Sequence, residues 1–189
     1  MKKFVTLALA LSAAVASPAL AGTITFIGTT TGGPTYNRAI GNGNNAPTTL
    51  SGVGTAVRYS VNAFTVSQSG GYNFLNTTNY DSYLGIHSGS FNPANALQNA
   101  VAYNDDFAGG LDGGFSGLSL LTGVSYFAVS SGFDNSDFGA YSLNINGPGT
   151  ITGGNGGVPE PATWAMLIFG FAGVGAAMRR RRGAVAVLG

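Results

Sequence analysis

The stretch from Gly22 to Gly157 contains no glutamate, no lysine and only two glutamines. These residues, together with arginine, are the ones that usually fill exposed helix positions, and arginine occurs there only at Arg38 and Arg58. Asn, Ser, Thr and Gly supply the polar surface instead, and they suit strands that are joined by tight turns. The composition therefore predicts an all-β domain.

Apolar and polar residues alternate in several segments with the period of two that a half-buried strand requires. Gly22–Gly28 predicts a first strand, and Leu118–Leu121 and Val124–Val129 are denser and predict central strands. The alternating stripes are Val57, Tyr59 and Val61, then Tyr72 and Phe74, then Tyr141, Leu143 and Ile145. Two sheets packed face to face would bury these stripes, so we expect an antiparallel, jelly-roll-like β-sandwich over residues 22–152.

Clusters of glycine and other turn-forming residues separate the predicted strands. We expect turns at Ser69–Gly71, Gly109–Gly110, Asp112–Gly114 and Asn146–Gly149, because these residues tolerate turn geometry.

The charge of this domain excludes one class of partner, and its cysteine content excludes one class of chemistry. Two arginines against six aspartates give residues 22–157 a net charge of −4, which offers no surface for nucleic acid. The absence of cysteine excludes a disulfide scaffold and thiolate metal or redox chemistry.

Residues 1–21 have the three-part layout of a cleavable secretory signal peptide. Lys2 and Lys3 precede an apolar run over 4–15, and Ala19 and Ala21 provide the small residues that signal peptidase requires, so we expect cleavage before Gly22. The alternative is a permanent anchor. About a dozen apolar residues span only ~18 Å as a helix, however, against a hydrocarbon core of ~30 Å.

The carboxy-terminal segment is organised for transient membrane anchoring. A Gly-rich linker at 153–158 is followed by Pro159-Glu160-Pro161, whose prolines hold the backbone extended, as a protease cleft requires. Residues 162–178 are uncharged and predict one short transmembrane helix of ~26 Å, with Trp164 at the outer interface.

A cluster of four consecutive arginines follows this apolar segment. The cluster consists of Arg179, Arg180, Arg181 and Arg182. Each arginine would cost roughly 2.5–3.5 kcal/mol at bilayer depth, so the cluster would stop transfer. We therefore expect residues 183–189 to form a cytoplasmic tail and the β domain to lie outside.

The tail at 159–182 resembles the PEP-CTERM sorting signal in its P-E-P-x-x-W-A variant, on the residues Pro159, Glu160, Pro161, Trp164 and Ala165. The resemblance implies a Gram-negative bacterium that makes exopolysaccharide. It also implies that exosortase, a membrane-bound cysteine protease, removes the tail and releases the protein. The alternative is a permanently anchored surface protein.

Residues 71–149 resemble the pre-peptidase carboxy-terminal β-sandwich modules of secreted bacterial proteins. The resembling elements are Gly71–Phe74, Asp81–Leu84, Asn104–Asp106, Thr122–Val129 and Gly139–Ile145. The resemblance implies a non-catalytic adhesion or stabilising domain.

Few residues of the β domain have a type and spacing that indicate a metal-binding or catalytic site. Asp81, Asn104, Asp105 and Asp106 could supply oxygen ligands to calcium, although their spacing is not that of an EF-hand; otherwise they are solvated turn residues. His87 is the only histidine, and its position before Ser88-Gly89 predicts a surface turn. A Ser-His-Asp triad would depend on it alone, and the glycine pattern of a nucleophile elbow is missing.

We therefore expect a non-enzymatic protein of the cell surface or exopolysaccharide matrix, without cofactors except for the calcium candidate. Its expected partners are signal peptidase, exosortase, extracellular polysaccharide and, before processing, the membrane. The alternatives are an adhesion module that binds carbohydrate or protein, and a hydrolase.

Overall fold

The computed structural model of the protein describes residues 21–154, which form β-strands and one short 3₁₀ turn at Phe107–Gly109. The strands are β1 (Ala21–Thr29), β2 (Thr35–Tyr36), β3 (Ala39–Ile40), β4 (Thr49–Leu50), β5 (Val57–Val66), β6 (Gly70–Thr78), β7 (Ser82–Ser88), β8 (Ala100–Asn104), β9 (Gly113–Leu120), β10 (Ser125–Gly132), β11 (Ala140–Pro148) and β12 (Ile151–Gly154).

These strands form two antiparallel sheets. Sheet one has the order β1-β11-β6-β9, and sheet two has the order β12-β5-β10-β7-β8, with β2 also paired to β5. The short strands β3 and β4 pair with each other apart from both sheets. The prediction of an all-β, antiparallel fold is confirmed.

The main hydrophobic core lies where aromatic side chains of the two sheets meet. Phe74 of β6 packs against Phe64 of β5 and Phe115 of β9, with ring centroids 5.9 and 5.8 Å apart. Phe64 also stacks on Tyr126 of β10 at 5.7 Å. Burying a side chain of this size contributes roughly 1.5–3 kcal/mol, so this core provides much of the stability of a domain without disulfides.

The opposite face of sheet two is also covered, by residues 30–56 and 89–99, which we call the outer loop layer. Tyr36 and Phe91 from this layer pack edge-on against Tyr59, at 5.0 and 5.2 Å. The prediction that Val57, Tyr59 and Val61 face the other sheet is therefore wrong: they face the outer loop layer. The alternate residues of β5, Phe64 among them, enter the main core instead.

Several predicted turns are strand residues. β6 begins at Gly70, β9 begins at Gly113, and β11 continues through Gly147 to Pro148, so the predicted turns at 69–71, 112–114 and 146–149 are wrong in these parts. Glycine is needed within the strand at Gly147 because the Tyr72 ring lies on it, and an added Cβ would overlap that ring. The predicted turn at 109–110 is confirmed, since the chain turns there outside the strands.

Most of the signal peptide (1–20) and the tail from residue 155 onward lie outside the described residues. Within 21–154 no helix is long and apolar enough to cross a membrane.

Candidate functional site

The residues predicted to direct export and sorting fall largely beyond the described part of the chain. Those outside it are Ala19, Pro159, Glu160, Pro161, Trp164, Ala165, Arg179, Arg180, Arg181 and Arg182. Their predicted roles in cleavage, sorting and stop-transfer therefore stay predictions. Ala21 is the first residue of β1 and pairs with Pro148, and Gly22, the expected first residue after cleavage, pairs with Gly147.

The four calcium candidates lie near one end of sheet two. Asp81 precedes β7, Asn104 ends β8, and the two strands pair there through Leu84 and Asn104. Burial and then the carboxylates of Asp137, Asp105 and Asp106 raise the pKa of Asp81, which indicates that these acidic groups share one region.

The hydrogen bonds of these four residues show only Asp105 capping its own turn, whereas the Asn104 side chain bonds β9 and Asp81 Oδ1 is buried without a hydrogen-bond partner among residues 21–154. The Asn104 side-chain amide donates to the Gly114 carbonyl at 2.8 Å, and Asp105 Oδ1 accepts from the backbone amide of Asp106 at 2.9 Å. Among residues 21–154 no group of three or more His, Asp or Glu side chains could hold a metal ion. The calcium site stays a prediction.

His87 is buried, so its assignment to a surface turn is wrong. It lies within β7 with 0% of its surface exposed, because the outer loop layer covers this strand. Its Nδ1 lies 3.0 Å from the Gln98 carbonyl and its Nε2 lies 2.7 Å from the Tyr103 hydroxyl. A carbonyl only accepts, so Nδ1–H donates to Gln98 and Nε2 accepts from Tyr103. Neither ring nitrogen contacts a serine or an aspartate, as a catalytic triad would require.

Burial of His87 predicts that the domain loses stability in mild acid. Burial lowers the pKa of His87 below its value in the unfolded chain, although the Gln98 carbonyl acts in the opposite direction. Between those two pKa values the unfolded state binds more protons. The free energy of unfolding should therefore fall, by up to about 1.4 kcal/mol per pH unit, as the pH drops below about 6.5.

Urea unfolding at pH 7, 6 and 5 measures this effect, and a His87→Gln variant should lose the pH-dependent part while being less stable throughout. The raised pKa of Asp81 acts with the opposite sign, adding stability as the pH falls towards the range in which carboxylic acids titrate. A wild-type stability that is constant or rises from pH 7 to pH 5 would contradict the assignment.

Arg38, between β2 and β3, is the most unusual polar residue of the domain, because its side chain is only 2% exposed. Its Nε and Nη2 donate to the Phe133 carbonyl at 2.9 and 2.7 Å, and its Nη1 donates to the Ala39 carbonyl at 3.3 Å. The guanidinium carbon lies 3.8 Å from the centroid of the Tyr83 ring and 4.9 Å from that of Phe133. The buried cation is thus held by carbonyls and aromatic faces, and none of these hydrogen bonds goes to a carboxylate.

A cavity of about 290 Å³ lies beside Arg38. Tyr83 of β7, Asp105 after β8 and Phe133 after β10 line it from sheet two, and Asn42, Ser51 and Val53 line it from the outer loop layer. The pairing of β7 with both β8 and β10 brings these distant positions together. We call this arrangement the Arg38 cavity; Asp105 lines it together with Arg38, and the side chains of Arg38 and Tyr83 are each only 2% exposed.

Sequence reasoning missed this cavity; two features of the sequence indicate that its residues are buried, and neither indicates a cavity. Arg38 is one of only two arginines between 22 and 157, where lysine is absent. A basic residue that is so isolated in the sequence is a candidate for a buried structural role. The run Tyr83-Leu84-Gly85-Ile86 is nearly continuous in apolar residues, which is typical of a strand covered on both faces.

Comparison with known proteins assigns only the tail. Residues 157–182 match the PEP-CTERM protein-sorting motif. No curated protein and no solved structure matches the chain. The sorting motif implies an exported protein that exosortase processes at the membrane before release.

Proposed function

We propose that this chain is a non-enzymatic protein of a Gram-negative bacterium, released by exosortase to the cell surface or medium and associated there with the exopolysaccharide of a biofilm matrix. The observation that carries the proposal is the PEP-CTERM match over residues 157–182. An uncharged segment that would span ~26 Å as a helix and then four arginines follow the motif in the sequence, which is the order that a temporary anchor requires.

Three features of the domain support a binding or structural role rather than catalysis. The single histidine is buried and hydrogen-bonded to a tyrosine and a carbonyl. The aspartates Asp105, Asp112 and Asp134 accept hydrogen bonds from nearby backbone amides. The Arg38 cavity favours the second candidate function, an adhesion module that binds a ligand of its own.

Replacing Glu160 with alanine should prevent release. Glu160 is the only charged group of the Pro-Glu-Pro motif, so its loss should leave the full chain in the membrane fraction and reduce the released protein at least ten-fold. Immunoblots of membrane and medium fractions from cells that contain exosortase measure this.

Thr163→Ala is the matched control, because it changes a variable position of the same motif and should be released normally. Equal release of the Glu160→Ala and Thr163→Ala proteins would contradict sorting by this motif.

A further inference from the structure

β1 is an edge strand of sheet one that lacks the features by which edge strands are usually protected. It is the last strand in the order β1-β11-β6-β9, so only one of its two sides is paired within the sheet. Edge strands are typically short, charged, interrupted by a bulge or covered by other parts of the chain. β1 has nine residues, pairs with β11 without a register shift, and contains no charged residue and no proline.

The other edge strands within residues 21–154 are short or covered. In sheet two, β12 has four residues and β8 has five, and the Tyr103 carbonyl of β8 accepts a hydrogen bond from a loop amide at 3.0 Å. At the opposite edge of sheet one, β9 pairs irregularly with β6. The side-chain amides of Asn44 and Asn104 donate to carbonyls of β9, each at 2.8 Å. β1 is therefore the long, regular and open edge of the domain.

The free side of β1 presents the backbone groups of four residues. The Thr30 amide donates to the Gly139 carbonyl at 2.9 Å, one step beyond the end of the pairing between β1 and β11. Backbone groups alternate in direction along a strand, so the even-numbered residues of β1 also face β11 and the odd-numbered ones point outward. Ala21 is already bridged to Gly149. The remaining outward residues are all exposed, and they are Thr23, Thr25, Ile27 and Thr29.

These outward groups are complementary to a polypeptide strand. Amides and carbonyls that alternate at the spacing of a β-strand match the backbone of another extended chain. Ile27 is 84% exposed and offers an incoming strand an apolar side chain on which to pack. A strongly charged partner would find no charge on β1 to pair with.

β1 of a second copy is the strand that fits this edge with the least rearrangement. It is already extended, has the same length and carries no charge, so self-pairing brings no like charges together. Asp134 and Asp137 lie in the loop that leads to β11, at the Thr29 end of β1. An antiparallel arrangement of two copies separates these acidic ends, whereas a parallel arrangement would place them side by side.

We propose that β1 pairs antiparallel with β1 of a second copy, about a two-fold axis at Phe26, and so joins two four-stranded sheets into one. Thr23 then lies opposite the partner's Thr29, and Thr25 lies opposite the partner's Ile27. In this register all four outward residues of each copy exchange backbone hydrogen bonds. The dimer requires neither sorting nor release, so it can fail while the proposed function holds.

Ile27→Lys tests the dimer through its mass. Sedimentation equilibrium of the full chain in density-matched detergent should give the mass of two chains for the wild type and half that mass for Ile27→Lys, because two positive charges would meet across the shared edge. Leu75→Lys is the control and should stay dimeric, since Leu75 is exposed on the same face but lies on β6, which is paired on both sides. Both variants should melt as the wild type does. A wild type with the mass of one chain, or equal masses for the two variants, would overturn the proposal.

Cysteine cross-linking tests the register, and the chain has no cysteine of its own. Thr25→Cys chains mixed with Ile27→Cys chains should form covalent dimers on oxidation, while either variant alone should form few. Residues opposite each other in such a pair have Cα atoms about 5.5 Å apart, within the range of a disulfide. Leu75→Cys mixed with Thr77→Cys is the control, with the same spacing on β6. Equal yields from the test and control mixtures, or from the test mixture and either variant alone, would overturn the proposal.

Discussion

Alanine at Gly85 is expected to lower the melting temperature of the domain by about 10 °C. Gly85 lies in the middle of β7, and the ring of Tyr103 on β8 lies directly on its Cα. An added Cβ would be 2.5 Å from Cζ of that ring. The ring cannot move away easily, because it is fully buried and its hydroxyl is hydrogen-bonded to His87 at 2.7 Å. Overpacking of this kind costs roughly 3 kcal/mol, and a domain of this size loses roughly 3–4 °C per kcal/mol.

Two further variants separate this clash from a general effect of removing glycine. Gly110→Ala should leave the melting temperature unchanged or slightly raised, because the backbone is extended there and the nearest atom to the new Cβ is 3.7 Å away. Gly85→Ala should also cost less in a Tyr103→Leu background, where the ring is absent. A Gly85→Ala protein that melts within 2 °C of wild type would contradict the packing of Tyr103 on β7.

Alanine at Arg38 is expected to have an effect of similar size, for a different reason. The substitution removes three hydrogen bonds to buried carbonyls and the stacking of the guanidinium on Tyr83. It leaves the Phe133 carbonyl without these donors and leaves a hole where a large side chain was buried. Together these losses should lower the free energy of unfolding by about 3 kcal/mol or more, as measured by urea unfolding.

Arg58→Ala is the matched control. Arg58 is also placed over an aromatic ring, that of Phe138 at 4.9 Å, but it is only partly buried and Phe138 is itself exposed. Its removal should cost less than about 1 kcal/mol. Equal decreases in the free energy of unfolding for the two substitutions would mean that Arg38 stabilises the domain no more than a surface arginine does. That result would contradict its observed burial.

The strands of the domain could be predicted where one face is apolar and the other polar. Burial alternates along the whole of β1 and along β11 from Ala140 to Ile145, and the two strands pair without interruption from Ala21 with Pro148 to Thr29 with Ala140. The alternation of apolar and polar residues could not reveal whether the opposite sheet or the outer loop layer covers a given apolar stripe. Residues of β5 on both faces are buried, one set against sheet one and the other against the outer loop layer.

Glycine was the least reliable predictor of turns, because in this fold it occurs both in turns and within strands. At Gly109 and Gly149 it adopts the positive φ of a turn, with values of 79° and 72°. At Gly85 and Gly147 it lies within strands and leaves room for the rings of Tyr103 and Tyr72. Both uses produce the same residue in the sequence, so only the neighbours in space distinguish them.

The Arg38 cavity could not be predicted, because its residues come from four separate parts of the chain. Arg38, Tyr83, Asp105 and Phe133 meet only after β7 has paired with β8 and β10 and the outer loop layer has closed over sheet two. The sorting signal is the opposite case. Its motif, apolar segment and arginines are contiguous, so residues 157–182 identify it without any fold.

The mass of the intact protein in the culture medium shows whether this β domain is exported through one cleaved signal and released by removal of another. We expect one species that begins at Gly22 and ends near Pro161, without the apolar segment or the arginines. Recovery of the protein only in membranes, with Arg182 still attached, would contradict it.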